Sequence, residues 1–168
     1  MQINHHWQGL DPSARGASCA MGNFDGVHLG HRKVIDLARG EDPLGIITFE
    51  PHPREFFAPT AAPFRLMNAE ARANRLAKLG VAQLYELPFG TELSGLEPEA
   101  FARDVLAAGL GVRHVVVGAD FCFGKGRRGI AADLVALGQV FGFRVTVADL
   151  VANGSTPISS TAIRDALT

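Results

Sequence analysis

The chain has 168 residues, 47% hydrophobic and 20% charged, the composition of one soluble globular domain with an adequate core, which excludes disorder. Lys and Arg number 16 against 17 Asp and Glu, a net charge of −1, so no broad basic surface exists for nucleic acid or an anionic membrane, and any cationic site is local. Cys19 and Cys122 lie far apart without Cys-x-x-Cys spacing, so neither a disulfide framework nor a zinc cluster is indicated, which fits a reducing, cytoplasmic setting.

Met1 to Trp7 has no apolar h-region, and no apolar run approaches the roughly 20 residues needed to span a bilayer. His5 and His6 read as surface residues. The first strand is expected near 17–22, from apolar Ala17-Ser18-Cys19-Ala20-Met21, and it runs into Gly22-Asn23-Phe24-Asp25-Gly26-Val27-His28-Leu29-Gly30-His31. Val27, Val34, Ile35 and Ala38 recur at helical spacing, which predicts a helix near 28–39. His28 and His31 then share a face at the helix start. Free N–H groups and the helix dipole favour an anion there, and Gly30 lets a nucleotide approach the backbone. The same run also fits a plain turn with Asp25 as N-cap.

A second strand is expected near 44–50, closing in Thr48-Phe49-Glu50-Pro51-His52-Pro53-Arg54-Glu55-Phe56-Phe57. Pro51 and Pro53 each fix φ and pre-shape the loop. Phe56 and Phe57 offer a flat wall for a planar ligand or, alternatively, join the core. Ala58 to Pro63 reads as an irregular loop.

Next come a helix near 68–79, a strand near 82–87, a helix near 97–109 and a strand near 112–118, whose Val115-Val116-Val117 suits a central position. The segment Gly118-Ala119-Asp120-Phe121-Cys122-Phe123-Gly124-Lys125-Gly126-Arg127-Arg128-Gly129 collects glycines, aromatics and cations after that strand. Such a loop can fold over phosphates while Lys125, Arg127 and Arg128 neutralise them; the plainer reading is a solvated basic loop.

A helix near 130–141 and a strand near 143–149 lead to a last helix near 160–167, opened by Pro157-Ile158-Ser159-Ser160-Thr161-Ala162-Ile163-Arg164. Capping explains one hydroxyl residue there; a run of three beside an arginine also fits a second phosphate cradle. The alternation of strands and helices implies a parallel sheet covered on both faces, with ligands beyond the carboxyl ends of its strands.

Taken together, G-x-F-D-G-x-H-x-G-H at 22–31, T-F-x-P-H-P at 48–53, G-x-D-F-x-F-G-x-x-R-x-G at 118–129 and I-S-S-T-x-I-R at 158–164 resemble the nucleotidyltransferase module of bacterial FAD synthetases, the bifunctional riboflavin kinase/FMN adenylyltransferases. The resemblance implies a Rossmann-like α/β fold, an open parallel sheet of the H-x-G-H nucleotidyltransferase type with helices on both faces. It also implies transfer of AMP from ATP to FMN, giving FAD and pyrophosphate.

By the same resemblance His28, His31 and Arg164 are catalytic. Gly22, Asn23, Phe24, Asp25, Gly30, Ser159, Ser160 and Thr161 bind ATP. Pro51, His52, Pro53, Phe56, Phe57, Asp120, Phe121, Phe123 and Arg128 bind the flavin, with Arg128 at its phosphate. Mg²⁺ accompanies ATP, and no metal ligand is assigned to the chain. The implied partners are the small molecules ATP and FMN, with neither nucleic acid nor membrane.

Two departures stand out: Cys122 where the family often has a polar or basic residue, and Met67-Asn68 where a threonine usually opens the second helix. In the family a riboflavin kinase barrel follows I-S-S-T-x-I-R, whereas this sequence stops at Thr168, as either a piece of a longer protein or a stand-alone adenylyltransferase would; no kinase site is expected in residues 1–168. The H-x-G-H superfamily also contains cytidylyltransferases and other adenylyltransferases, so a different phosphorylated acceptor is one alternative. A non-catalytic FMN- or ATP-binding module is another. A zinc site from His28, His31, His52 and a cysteine is disfavoured, because no His-Glu-x-x-His or paired cysteines are present.

Overall fold

Apolar side chains that alternate along short strands, with helical stripes between them, build a sheet with a core on each face. The computed structural model describes residues 1–22, 29–50, 69–88, 90–125, 128–148, 151–152 and 156–157. In chain order these form β1 (Gln2–Asn4), β2 (Ser18–Met21), α1 (Leu29–Ala38), β3 (Leu44–Glu50), α2 (Ala69–Lys78), β4 (Gln83–Pro88), α3 (Thr91–Ser94) and α4 (Pro98–Ala100). A π-helix, Phe101–Gly109, continues α4 and is followed by β5 (His114–Gly118), the two-residue strands β6 (Cys122–Phe123) and β7 (Gly129–Ile130), α5 (Ala131–Phe141) and β8 (Arg144–Ala148). A last two-stranded pair joins β9 (Val151–Ala152) to β10 (Thr156–Pro157).

Six strands form one sheet in the order β1-β4-β3-β2-β5-β8, and every pairing in it is parallel. The expected α/β Rossmann-like sheet is therefore observed. Strand alternation sends Cys19, Met21, Ile47, Phe49, Tyr85, Leu87, Val115 and Val117 to one face, where the π-helix and α5 cover them. Ala20, Ile46, Leu84 and Val116 go to the other, under Val34, Ile35 and Ala38 of α1 and Ala73 and Leu76 of α2. Gly45 permits close packing at the middle of the sheet, since a Cβ there would lie 2.8 Å from Cys19 Sγ.

Three differences from the sequence expectations stand out. β1 adds a sixth strand that periodicity does not announce, because it is three residues long and buries only Asn4. Pairing with β4 creates it: Asn4 Nδ2 donates to Gln83 Oε1 at 3.0 Å, and Gln83 Nε2 to Gln2 Oε1 at 3.2 Å. The helix expected near 97–109 is wound mostly as a π-helix, and its end is marked by Leu110 N donating to Val105 O at 2.8 Å. The strand expected near 112–118 begins at His114. The helix expected near 160–167 lies outside the described residues.

At the amino ends of the strands, His114 on β5 ties together the two strands that flank it. Its Nδ1 lies 3.0 Å from Ser18 Oγ on β2, and its Nε2 lies 2.7 Å from Thr146 Oγ1 on β8. Asp42 approaches Arg113 at 3.8 Å and Arg144 at 3.9 Å beside this chain. Burial, and then the charge of Arg144, hold the His114 pKa below the ordinary imidazole value, with Asp42 opposing them.

Candidate active site

From β2 the chain steps outward to β3 and β4, then returns to place β5 on the opposite flank of β2. Adjacent carboxyl ends therefore lead in opposite directions, the arrangement that opens a ligand crevice in such sheets. Three motif segments begin at this edge. Residues 22–31 follow β2, 48–57 close and follow β3, 118–129 follow β5, and 158–164 come after β8. Because β3, β2, β5 and β8 are consecutive neighbours, their ends span roughly 15 Å at the usual strand spacing.

Gly22 is held by its N–H donating to Ile47 O at 3.0 Å, which carries the sheet one residue past β2. Gly30 and His31 fall in the first turn of α1, where free N–H groups and the dipole favour an anion. Asn23, Phe24, Asp25 and His28 lie outside the described residues, as do Pro51, His52, Pro53, Phe56 and Phe57. Ser159, Ser160, Thr161 and Arg164 also lie outside them.

The segment after β5 is described in most of its length. Phe121 N donates to Gly118 O at 3.0 Å, which makes a turn that leaves Asp120 exposed. β6 and β7 then pair antiparallel, with Cys122 opposite Ile130 and Phe123 opposite Gly129. Phe123 is 6% exposed and belongs to the core, whereas Phe121 is half-buried. Their rings stack at 6.0 Å and 13°, and Phe123 meets Phe101 at 5.7 Å, which in turn meets Phe49 at 6.5 Å. Phe121 is thus the ring with open surface, and Phe123 is its support from within.

The far side of this hairpin rests on a turn that the motifs do not include. Gly124 has φ +78°, and a Cβ there would fall 2.8 Å from Pro98 Cγ. Lys125 N donates to Leu96 O at 2.7 Å, and Arg128 Nη1 lies 3.4 Å from Glu97 Oε1. In the sequence Glu97-Pro98 reads only as a helix opening, since proline favours the first helical turn. Nothing local to it marks a contact with a loop some 30 residues away.

Two buried groups are chemically quiet. Burial pushes the Cys19 thiol far above its ordinary pKa, so it is neither nucleophile nor metal ligand. Burial, with Cys19 beside it, does the same to Tyr85, whose hydroxyl donates to Ala14 O. Among the described residues no group of three or more His, Cys, Asp or Glu could hold a metal ion. A cavity of about 520 Å³ lies among Trp7, Leu10, Arg15, Glu92, Leu96 and Asp104, and no motif residue lines it.

The FAD synthetase family model matches residues 10–162. The chain is 38% identical over 172 residues to the bifunctional riboflavin kinase/FMN adenylyltransferase of Pseudomonas fluorescens, covering 99% of the chain and 55% of that relative. To the protein of the same description from Escherichia coli K12 it is 37% identical over 157 residues, covering 90% of the chain and 50% of the relative. The chain spans about half the length of the curated relatives it matches. Among solved structures, a macrolide-efflux protein from Streptococcus pneumoniae superposes with a TM-score of 0.78 at 26% identity, over 98% of the chain and 56% of that protein. A pantoate-β-alanine ligase from Francisella tularensis, at TM-score 0.60 and 14% identity over 97% of the chain and 72% of its own, shares the fold alone. The sheet order, the motif segments that begin at its carboxyl edge and these likenesses agree: the chain belongs to the FAD synthetase family.

Proposed function

We propose that this chain is an FMN adenylyltransferase, which joins the AMP moiety of Mg²⁺-ATP to the phosphate of FMN to form FAD and release pyrophosphate. The observation that supports the reading is that three family motifs begin at the carboxyl ends of the neighbouring strands β3, β2 and β5, on either side of the point where the chain reverses.

In the reaction an FMN phosphate oxygen attacks the α-phosphorus, and the bond from that phosphorus to the β-phosphate oxygen breaks. The FMN phosphate is ionised near neutral pH, so no general base is needed. Catalysis then consists of positioning two polyanions and stabilising charge on the α-phosphate. His28 and His31 would hold the α-phosphate oxygens at the start of α1. Ser159, Ser160, Thr161 and Arg164 would hold the departing pyrophosphate. Arg128 would take the FMN phosphate, and Phe121, backed by Phe123, would stack on the isoalloxazine. Asp120 and the segment from Pro51 to Phe57 would complete the flavin side. Mg²⁺ enters as the counter-ion of the ATP phosphates, part of the substrate.

On this reading residues 1–168 constitute the adenylyltransferase domain, and the kinase activity in the relatives' description resides elsewhere. A cytoplasmic setting fits its two free cysteines and the absence, among the described residues, of any helix long and apolar enough to cross a membrane. The test is chromatographic product analysis after incubation with Mg²⁺-ATP and either FMN or riboflavin. FAD forms from FMN, and riboflavin gives neither FMN nor FAD. Absence of FAD in the FMN reaction overturns the proposal.

A further inference from the structure

The Arg128 guanidinium is shared property. It faces both carboxylate oxygens of Glu97, at 3.4 and 3.5 Å, while the hairpin that carries it is fastened to the same turn through Lys125 N and Leu96 O. Both side chains are open to solvent, Arg128 at 67% and Glu97 at 52%, so the pair is weakly held and exchanges readily. The backbone bond at Lys125 holds the hairpin against the turn that carries Glu97. A phosphate monoester brings close to two negative charges and three acceptor oxygens, against the single charge of Glu97, and matches the guanidinium fork.

We propose that Glu97 is a specificity-determining residue that competes with the acceptor's phosphate for Arg128 and so sets how tightly a phosphorylated flavin is held. The proposal rests on the FMN adenylyltransferase reading and on Arg128 as its phosphate residue. A neutral flavin makes no claim on Arg128 and leaves the ion pair intact. A phosphorylated flavin has to displace Glu97 and bind beside a like charge. Glu97 thus lowers affinity in proportion to acceptor charge, which a purely structural role for the residue would not do.

Titration of flavin fluorescence with the wild-type protein, Glu97→Gln, Arg128→Ala and the double variant, using FMN and riboflavin in parallel, tests this. Glu97→Gln is close to isosteric at an exposed position, and folding of each variant is checked by its thermal transition. Glu97→Gln is expected to tighten FMN about two- to fivefold, the range for an exposed ion pair, and to leave riboflavin unchanged. In the Arg128→Ala background the same substitution is expected to have less than half that effect. Weaker FMN binding, an equal shift for both flavins, or an undiminished effect without Arg128 overturns the proposal. If FMN binds wild type and Arg128→Ala equally, the enzyme reading stands and the proposal falls. If wild type binds neither flavin, both fall.

Discussion

The two cysteines carry the same thiol in opposite settings. Cys19 is 0% exposed at the centre of β2, where burial raises its pKa, whereas Cys122 is partly exposed on the β6–β7 hairpin. A thiol-modifying reagent is therefore expected to label one cysteine in the native protein and two after denaturation, with mass mapping to Cys122. Native labelling of Cys19 would contradict the packing of β2. His31 lies in the first turn of α1, and in the proposed reaction it contributes to the charge developing at the α-phosphate. Its replacement by alanine is expected to lower kcat roughly 10²–10³-fold while KM for ATP changes much less. Steady-state kinetics decides this, and an unchanged kcat removes His31 from the chemistry. Residue identity and spacing at 22–31 were enough to raise this candidate. The division of labour between Phe121 and Phe123 was not readable in the same way, because adjacent aromatics in a loop acquire an inside and an outside only from what packs under them, here Phe101.

Among the elements, the amino ends of β2, β5 and β8 share a polar clamp at His114, on the edge opposite the candidate site. Its folded pKa is held down by burial and by Arg144, while the unfolded imidazole titrates near its ordinary value of about 6.5. Above that pH both states are neutral and the residue adds no pH dependence. As pH falls below it, the unfolded chain binds a proton that the folded chain resists, and stability drops. The wild-type urea midpoint is thus expected to fall between pH 7.5 and 5.5 by more than that of His114→Gln. Equal changes would show that His114 titrates alike in both states. Val115-Val116-Val117 was readable as an interior strand from its unbroken apolar run, and it lies between β2 and β8 with all three residues 0% exposed. The π-winding of Phe101–Gly109 was not readable, since the two windings differ in which carbonyl each N–H reaches, a choice that a nine-residue run of apolar and polar side chains leaves open.

Across the whole molecule, β1 closes the β4 edge of the sheet, with Gln2 N donating to Ala82 O at 2.9 Å and Asn4 buried against Gln83. Removal of Met1–His5, which retains the buried Trp7, leaves the β4 edge unpaired. The expected result is a Tm lower by roughly 3–8 °C and increased light scattering on standing. An unchanged Tm would mean that the β1 pairing contributes nothing measurable. By itself the sequence determined the alternation of strand and helix, the two-faced burial and the motif segments, because these follow from periodicity, turn chemistry and residue type over short stretches. Only the tertiary structure decided the strand order β1-β4-β3-β2-β5-β8, which sets segments from distant parts of the chain along one edge. It also decided that Arg128 faces Glu97. Strand order and cross-chain ion pairs arise from which apolar faces and charges meet once the chain has collapsed, and no local pattern encodes that meeting.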